Sequence, residues 1–218
     1  MTLLAMNVAV FALGAVMDRR LGLGFGGGDF EARWGSWDRA VAAGEWWRLI
    51  TAGFIHFGII HLGLNMYALY ILGPTLERLL GQARFVLLYF VALMGGSLGS
   101  IILEPNALSA GASGAIFGIF GAYAVVELSR GINPLRTDVG TTILLNLVLT
   151  FTIGGISIGG HVGGLVVGSA GAAALLLGSP LPRQRSSEQA GRAAAVVALG
   201  LVSCAAAIQI ARSRYGLG

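Results

Sequence analysis

Seven apolar stretches, nearly free of formal charge, alternate with short polar segments along this chain. They fall at residues 3–17, 55–76, 85–103, 109–126, 139–151, 159–177 and 193–211. A helix that crosses a bilayer needs about 20 apolar residues, and each stretch approaches that length, so the pattern predicts seven membrane spans. Residues 85–103 carry no charge at all. From Val139 to Pro182 only His161 can acquire one, and that run is too long for a single helix. The glycines of Thr152-Ile-Gly-Gly-Ile-Ser-Ile-Gly-Gly160 divide it into a fifth and a sixth span. Between the first two spans lies the one long polar segment, 18–48, with five acidic residues, five arginines and all four tryptophans: Trp34, Trp37, Trp46 and Trp47. Amphipathic rings collect at the membrane–water boundary, so this loop is expected to lie on or partly in the interface.

Composition agrees with the pattern. Of 218 residues, 56% are hydrophobic and 11% charged, where soluble domains average roughly a quarter charged. Such a chain cannot hide its apolar surface in a water-soluble core. The net charge is +4, carried by 14 arginines and no lysine. No cluster of arginines is dense enough to follow a phosphate backbone, so lipid headgroups fit the basic balance and nucleic acid does not. The absence of lysine beside abundant Arg, Ala and Gly points to a GC-rich bacterial source and hence the bacterial cytoplasmic membrane. Cys204 stands alone in an apolar run, which leaves no internal disulfide. No basic residue precedes Leu3, so the first apolar stretch reads as a retained span rather than a signal peptide.

Arginine placement orients the spans. The loops after spans 2, 4 and 6 hold Arg78 and Arg84, Arg130 and Arg136, and Arg183, Arg185 and Arg192; those after spans 3 and 5 hold none. The positive-inside rule then places the N-terminus in the cytoplasm and the tryptophan loop outside. Arg19, Arg20, Arg212 and Arg214 count against that orientation. Spans 2, 4 and 6 would start from the same, outer side.

Polar side chains inside a bilayer are costly and need a partner or a task. Span 2 carries His61 and Asn65, span 4 Ser113 and span 6 His161, each near the start of its helix. His61 lies about six residues into its span, ~9 Å deep at 1.5 Å per residue. His61 and Asn65, four apart, share a helical face. Asn7 and Asn146 read as packing groups. Gly114 with Gly118, and Gly160 with Gly164 and Gly168, form small-residue faces that allow close backbone approach in lipid. Packing those faces together would set Ser113 beside His161.

That pairing has a chemical meaning. A serine hydroxyl becomes a nucleophile when a base takes its proton, and neutral histidine is the usual base near neutrality. No Asp or Glu lies at this depth to complete a triad, so a Ser113–His161 dyad is expected. An oxyanion needs donors, and the helix start at Ser113, with the backbone of Gly111 and Ala112 and the side chains of Asn65 and His61, can supply them. The preceding segment, Glu104-Pro-Asn-Ala-Leu-Ser-Ala-Gly-Ala112, is expected to be irregular backbone lining a wet cavity. Two other motifs compete. Gly22-Leu-Gly24-Phe-Gly26-Gly27 matches a dinucleotide fingerprint but follows a span rather than a strand. Gly155-Ile-Ser157-Ile-Gly159 matches a nucleophile elbow, without the strand-to-helix turn or downstream His. Ser157 therefore reads as part of a glycine-rich outer loop, with a second nucleophile as the alternative.

The motifs together resemble the rhomboid family of intramembrane serine proteases over residues 45–168. Gly111-Ala-Ser113-Gly114 is similar to that family's GxSG, His61-Leu-Gly-Leu-Asn65 to its HxxxN, and His161-Val-Gly-Gly164-Leu-Val-Val-Gly168 to its histidine–glycine helix. Trp47-Arg48 resembles its WR pair, and Gly73-Pro-Thr-Leu-Glu77-Arg-Leu-Leu-Gly81 its GxxxExxxG. The resemblance implies an all-α membrane protein: a six-helix bundle plus one C-terminal transmembrane helix. Residues 1–178 would hold the bundle with an interfacial loop at 18–53, 179–192 a cytoplasmic linker, and 193–218 the seventh helix and tail. It implies Ser113 as nucleophile, His161 as base, His61 and Asn65 at the oxyanion, and transmembrane proteins as substrates, entering beside span 5. No cofactor or metal is implied. Two departures stand out: Gly160 replaces the common Ala before the base, and Phe117 replaces a tyrosine that stacks on it. A catalytically inactive relative that binds transmembrane clients, and a solute transporter, remain alternatives; a transporter would predict a repeat of broken helices, which the sequence lacks.

Overall fold

The computed structural model describes residues 1–19, 22, 28–152, 154–176 and 186–217. Arg20, most of the glycine motif at 22–27, and the first part of the expected linker with Arg183 and Arg185 lie outside the described residues. The described chain is helical, and its one β-type contact is an isolated antiparallel bridge between Ser36 and Ser109. The long helices are α1 (Thr2–Met17), α5 (Ile59–Leu80), α6 (Gln82–Leu103), α7 (Ser113–Ser129), α8 (Asp138–Thr152), α9 (Ile158–Leu176) and α10 (Ser186–Arg214). Three short helices, α2 (Asp29–Trp34), α3 (Asp38–Ala42) and α4 (Arg48–Thr51), occupy the tryptophan segment. By length and composition α5, α6, α9 and α10 can each cross a membrane, while α1, α7 and α8 are apolar but shorter, at 16, 17 and 15 residues.

The boundaries have local causes. Gly81 joins α5 to α6 without a loop and adopts φ +80°, a conformation a side chain would strain. Residues Ala52–Phe54 form a 3-10 turn and α5 starts only at Ile59. His61 is therefore the third residue of its helix, where the sequence pattern placed it about six residues into its span. Arg48 organises the loop ahead of it: its guanidinium is buried, with Nε donating to Glu45 at 2.6 Å and Nη1 to the carbonyls of Ala32 (2.8 Å) and Gly35 (2.9 Å).

α7 is hydrophobic all round and buried along most of its length, which makes it the central helix. Glycines set how it packs. A Cβ on Gly164 of α9 would strike the Gly114 backbone of α7, and one on Gly168 would strike Gly118. A second seam joins α9 to α6, where Gly159 meets Gly99 and Gly163 meets Gly95. The backbones of α6, α7 and α9 thus touch with no side chain between them, the close approach that stabilises helix pairs in lipid.

α10 runs along α6 and α9, burying Val196, Ala207 and Ala211. Its last residues reach the tryptophan segment, where Arg214 donates to Asp38 at 2.9 Å and to the Ile101 carbonyl at 2.8 Å. Asp38 also accepts from the Arg39 and Asn106 amides. Arg214, a cation that counted against the inferred orientation, is thus matched inside the protein.

Candidate active site

The N-terminal ends of α5, α7 and α9 converge. Together with the C-terminal part of α8 they enclose a cleft of about 240 Å³. Its walls include His61, Asn65, Ser113 and His161, the four polar groups singled out from the sequence, and among the described residues no Asp, Glu or Arg. Ser113 is the first residue of α7, where the opening N–H groups have no acceptor one turn back. His161 sits in the first turn of α9 and is buried. Phe117, one turn after Ser113, stacks on the His161 ring with centroids 4.0 Å apart and planes 17° apart. Among the described residues no hydrogen bond joins Ser113 to His161. Such contacts are often long until substrate binds.

Gly111 shapes the approach to the serine. Its φ is +126°, and a Cβ there would lie 2.8 Å from both Cε1 and Nε2 of His61 and 3.6 Å from Ser113 Oγ. Glycine is required twice, for the backbone angle and for the room that the imidazole occupies. The His61 ring and the Ser113 hydroxyl therefore flank the same point. His61 is held by Phe57, stacked at 5.9 Å, and by His56, edge-on at 5.0 Å. One N–H of the Asn65 amide is donated to the His61 carbonyl at 2.9 Å, which leaves the other for the cleft. The Gly111 N–H, expected among oxyanion donors, is already donated to the Ala52 carbonyl at 2.9 Å. It fixes the loop instead.

Ser157 has a structural task. It is the residue before α9, and its Oγ accepts from the Gly160 N–H at 2.9 Å, the bond a helix N-cap makes. The same hydroxyl donates to Glu104, whose carboxylate also accepts from the Ile158 and Gly159 amides. Glu104 thereby places a negative charge at the positive end of the helix that carries His161. Sequence reasoning passed over Glu104, which sits just beyond a span like any loop acid. It also passed over Thr150. This residue of α8 is 2% exposed, and its Oγ1 lies 2.6 Å from Nδ1 of His161. A threonine inside Leu-Asn-Leu-Val-Leu-Thr gives no signal of that contact. Asn146, read as a packing group, lines the cleft one turn before it.

The comparisons with known proteins agree with the family resemblance. The rhomboid domain family model matches residues 43–178. The chain belongs to the rhomboid family. This rhomboid is 46% identical over 139 residues to Rhomboid protease GluP of Bacillus subtilis, covering 62% of this chain and 27% of that protein. It is 33% identical over 135 residues to RHOMBOID-like protein 4 of Arabidopsis thaliana, covering 60% and 34%. With Rhomboid-type serine protease 2 of Emericella nidulans it shares 32% over 142 residues, covering 62% and 28%. The chain thus spans about a third or less of the length of these three relatives. Family membership and the apolar helices make this rhomboid an integral membrane protein.

Proposed function

We propose that this rhomboid is an intramembrane serine protease that hydrolyses peptide bonds in or beside transmembrane helices of other membrane proteins. The observation that supports it most is the single cleft lined by Ser113, His161, His61 and Asn65 at the shared end of three packed helices. Names of relatives that contain "protease" support the same reading.

The chemistry follows from those side chains. His161 Nε2 takes the Ser113 proton as Oγ attacks the scissile carbonyl carbon. The oxyanion is met by the free N–H of Asn65, the His61 ring and the N–H groups of Ala112 and Ser113 at the opening of α7. The tetrahedral intermediate collapses to an acyl-enzyme when His161 returns the proton to the leaving amine. Water, deprotonated by the same imidazole, then releases the second product. An intact helix hides its carbonyls in internal hydrogen bonds, so the cleaved segment must unwind easily and carry small residues. Substrate would enter beside α8, which buries only Gly140 and Thr150. The N-terminus would face the cytoplasm and the cleft the outer leaflet.

A fluorophosphonate probe tests the assignment. Native protein should be labelled at one site, mapped to Ser113 by peptide mass spectrometry. Ser113→Ala should abolish labelling and Ser157→Ala should not. An unlabelled native protein would leave a client-binding relative without cleavage.

A further inference from the structure

We propose that Thr150 is the positioning residue of His161, doing with a neutral hydroxyl what a carboxylate does in a triad. The inference rests on the proteolytic reading of the cleft and adds the partner that fixes its base.

A threonine hydroxyl has one proton and two acceptor lone pairs. Thr150 Oγ1 lies 2.7 Å from the Asn146 carbonyl oxygen and 2.6 Å from His161 Nδ1. The carbonyl can only accept, so the single proton points there. The contact with His161 must then be Nδ1–H donating to Thr150 Oγ1. The opposite arrangement would press a hydroxyl lone pair against a carbonyl lone pair at 2.7 Å inside a buried site. The imidazole is thus held with its proton on Nδ1, and Nε2 is left with the lone pair a general base needs. Phe117 fixes the plane of the ring and Thr150 fixes its rotation within that plane.

Thr150 and Gly140 are the two buried residues of α8, whose other side chains are exposed or half-buried. The hydroxyl therefore ties a loosely covered helix to the first turn of α9, with Leu149 and Asn146 beside it on the cleft wall. Because a hydroxyl brings no charge, it orients the imidazole more than it stabilises the imidazolium. The expected effect is smaller than the loss of about 10⁴ in kcat seen when a triad carboxylate is replaced and the wrong tautomer results. It is closer to the 10- to 100-fold lost when the hydrogen-bond partner that orients a metal-bound histidine is removed.

The test uses full-length protein in lipid vesicles with a single-span model substrate. Thr150→Val keeps the shape and removes the hydroxyl; Thr150→Ser keeps the hydroxyl. Thr152→Val, an exposed neighbour bonded to its own helix at Val148, is the control. Thr150→Val should lower kcat by about 10- to 100-fold with KM little changed, while Thr150→Ser and Thr152→Val stay close to native. Nitrogen NMR with ring-labelled histidine reads the tautomer directly, the His161 signals being assigned by their loss in His161→Ala. Native protein should carry the proton on Nδ1, and Thr150→Val should lose that preference. A native spectrum with the proton on Nε2 overturns the proposal, and needs no variant to fold. So does a Thr150→Val protein with native kcat, one with lowered kcat and an unchanged tautomer, or a serine variant as impaired as the valine. A native protein that cleaves nothing defeats the proteolytic reading instead, and the spectrum still decides the tautomer.

Discussion

One added methyl group on Gly164 should separate the two halves of the candidate site. The side chain of Ala at 164 would place its Cβ 2.7 Å from the carbonyl carbon and 2.9 Å from Cα of Gly114. Ordinary carbon–carbon contacts lie at about 3.5–4.0 Å. The obstacle is backbone of the central helix, so no rotamer change relieves it, and α9 must move from α7 by about 1 Å. Overpacking of this kind costs roughly 1–3 kcal/mol, against a helix-propensity gain of about 0.5–1 kcal/mol for Gly→Ala, so a modest net loss of stability is expected. The catalytic consequence is larger. His161 lies three residues before Gly164 and Ser113 one before Gly114, so the same displacement separates base from nucleophile. Misplacement by about 1 Å costs on the order of 100-fold in rate. The assay is cleavage of a single-span substrate in vesicles beside a thermal unfolding curve. Gly63→Ala is the control, since nothing lies within 4 Å of a Cβ there. Native activity in Gly164→Ala, or an equal loss in Gly63→Ala, would refute the reasoning.

Three further outcomes follow from the polar ties. Arg214→Ala should strip the buried Asp38 carboxylate of its cation while two backbone amides still hold it, lowering stability by about 1–3 kcal/mol; a thermal midpoint equal to native would count against the clamp. Glu104→Ala removes acceptors from the Ile158 and Gly159 amides and the partner of the Ser157 cap, a loss of about 1–2 kcal/mol by analogy with other N-caps. Hydrogen exchange should speed up at residues 158–161, and unchanged protection there would deny Glu104 that role. Arg48→Lys should destabilise the tryptophan segment although charge is kept, because an ammonium cannot meet Glu45 and the Ala32 and Gly35 carbonyls in one planar fork; proteolytic nicking between residues 30 and 50 reads it, and native resistance would contradict it.

Particular residues show what the sequence could and could not reveal. His61, Asn65, Ser113 and His161 stood out because polar groups are rare in apolar spans, and Gly114, Gly118, Gly164 and Gly168 because a four-residue spacing, close to the 3.6-residue turn, repeats them on one face. Both signals are local. The contact of Thr150 with His161 crosses between two helices, and threonines bond to their own helix so often that position alone is silent. Glu104 acts on a helix more than fifty positions away. Gly95 and Gly99 lie in a span whose apolar residues hide the seam they form with α9. The Arg214–Asp38 pair joins residues 176 positions apart, so Arg214 read only as a misplaced charge. Ser157 shows the converse: a helix cap flanked by glycines writes the same letters as a nucleophile elbow, and only the missing strand-to-helix turn and downstream His told them apart. The helix α5 starts at Ile59 rather than Ile55 because Ile55-His-Phe-Gly58 continues the mostly apolar pattern without being helical.

The central claim is that the hydroxyl of Ser113 and the imidazole of His161 hydrolyse a peptide bond within the membrane. The most direct measurement is cleavage of a single-span substrate reconstituted with purified protein in lipid vesicles, with the new termini identified by mass spectrometry. The account predicts a cut in or beside the transmembrane segment by native protein and none by Ser113→Ala or His161→Ala. Cleavage that persists in Ser113→Ala would contradict it.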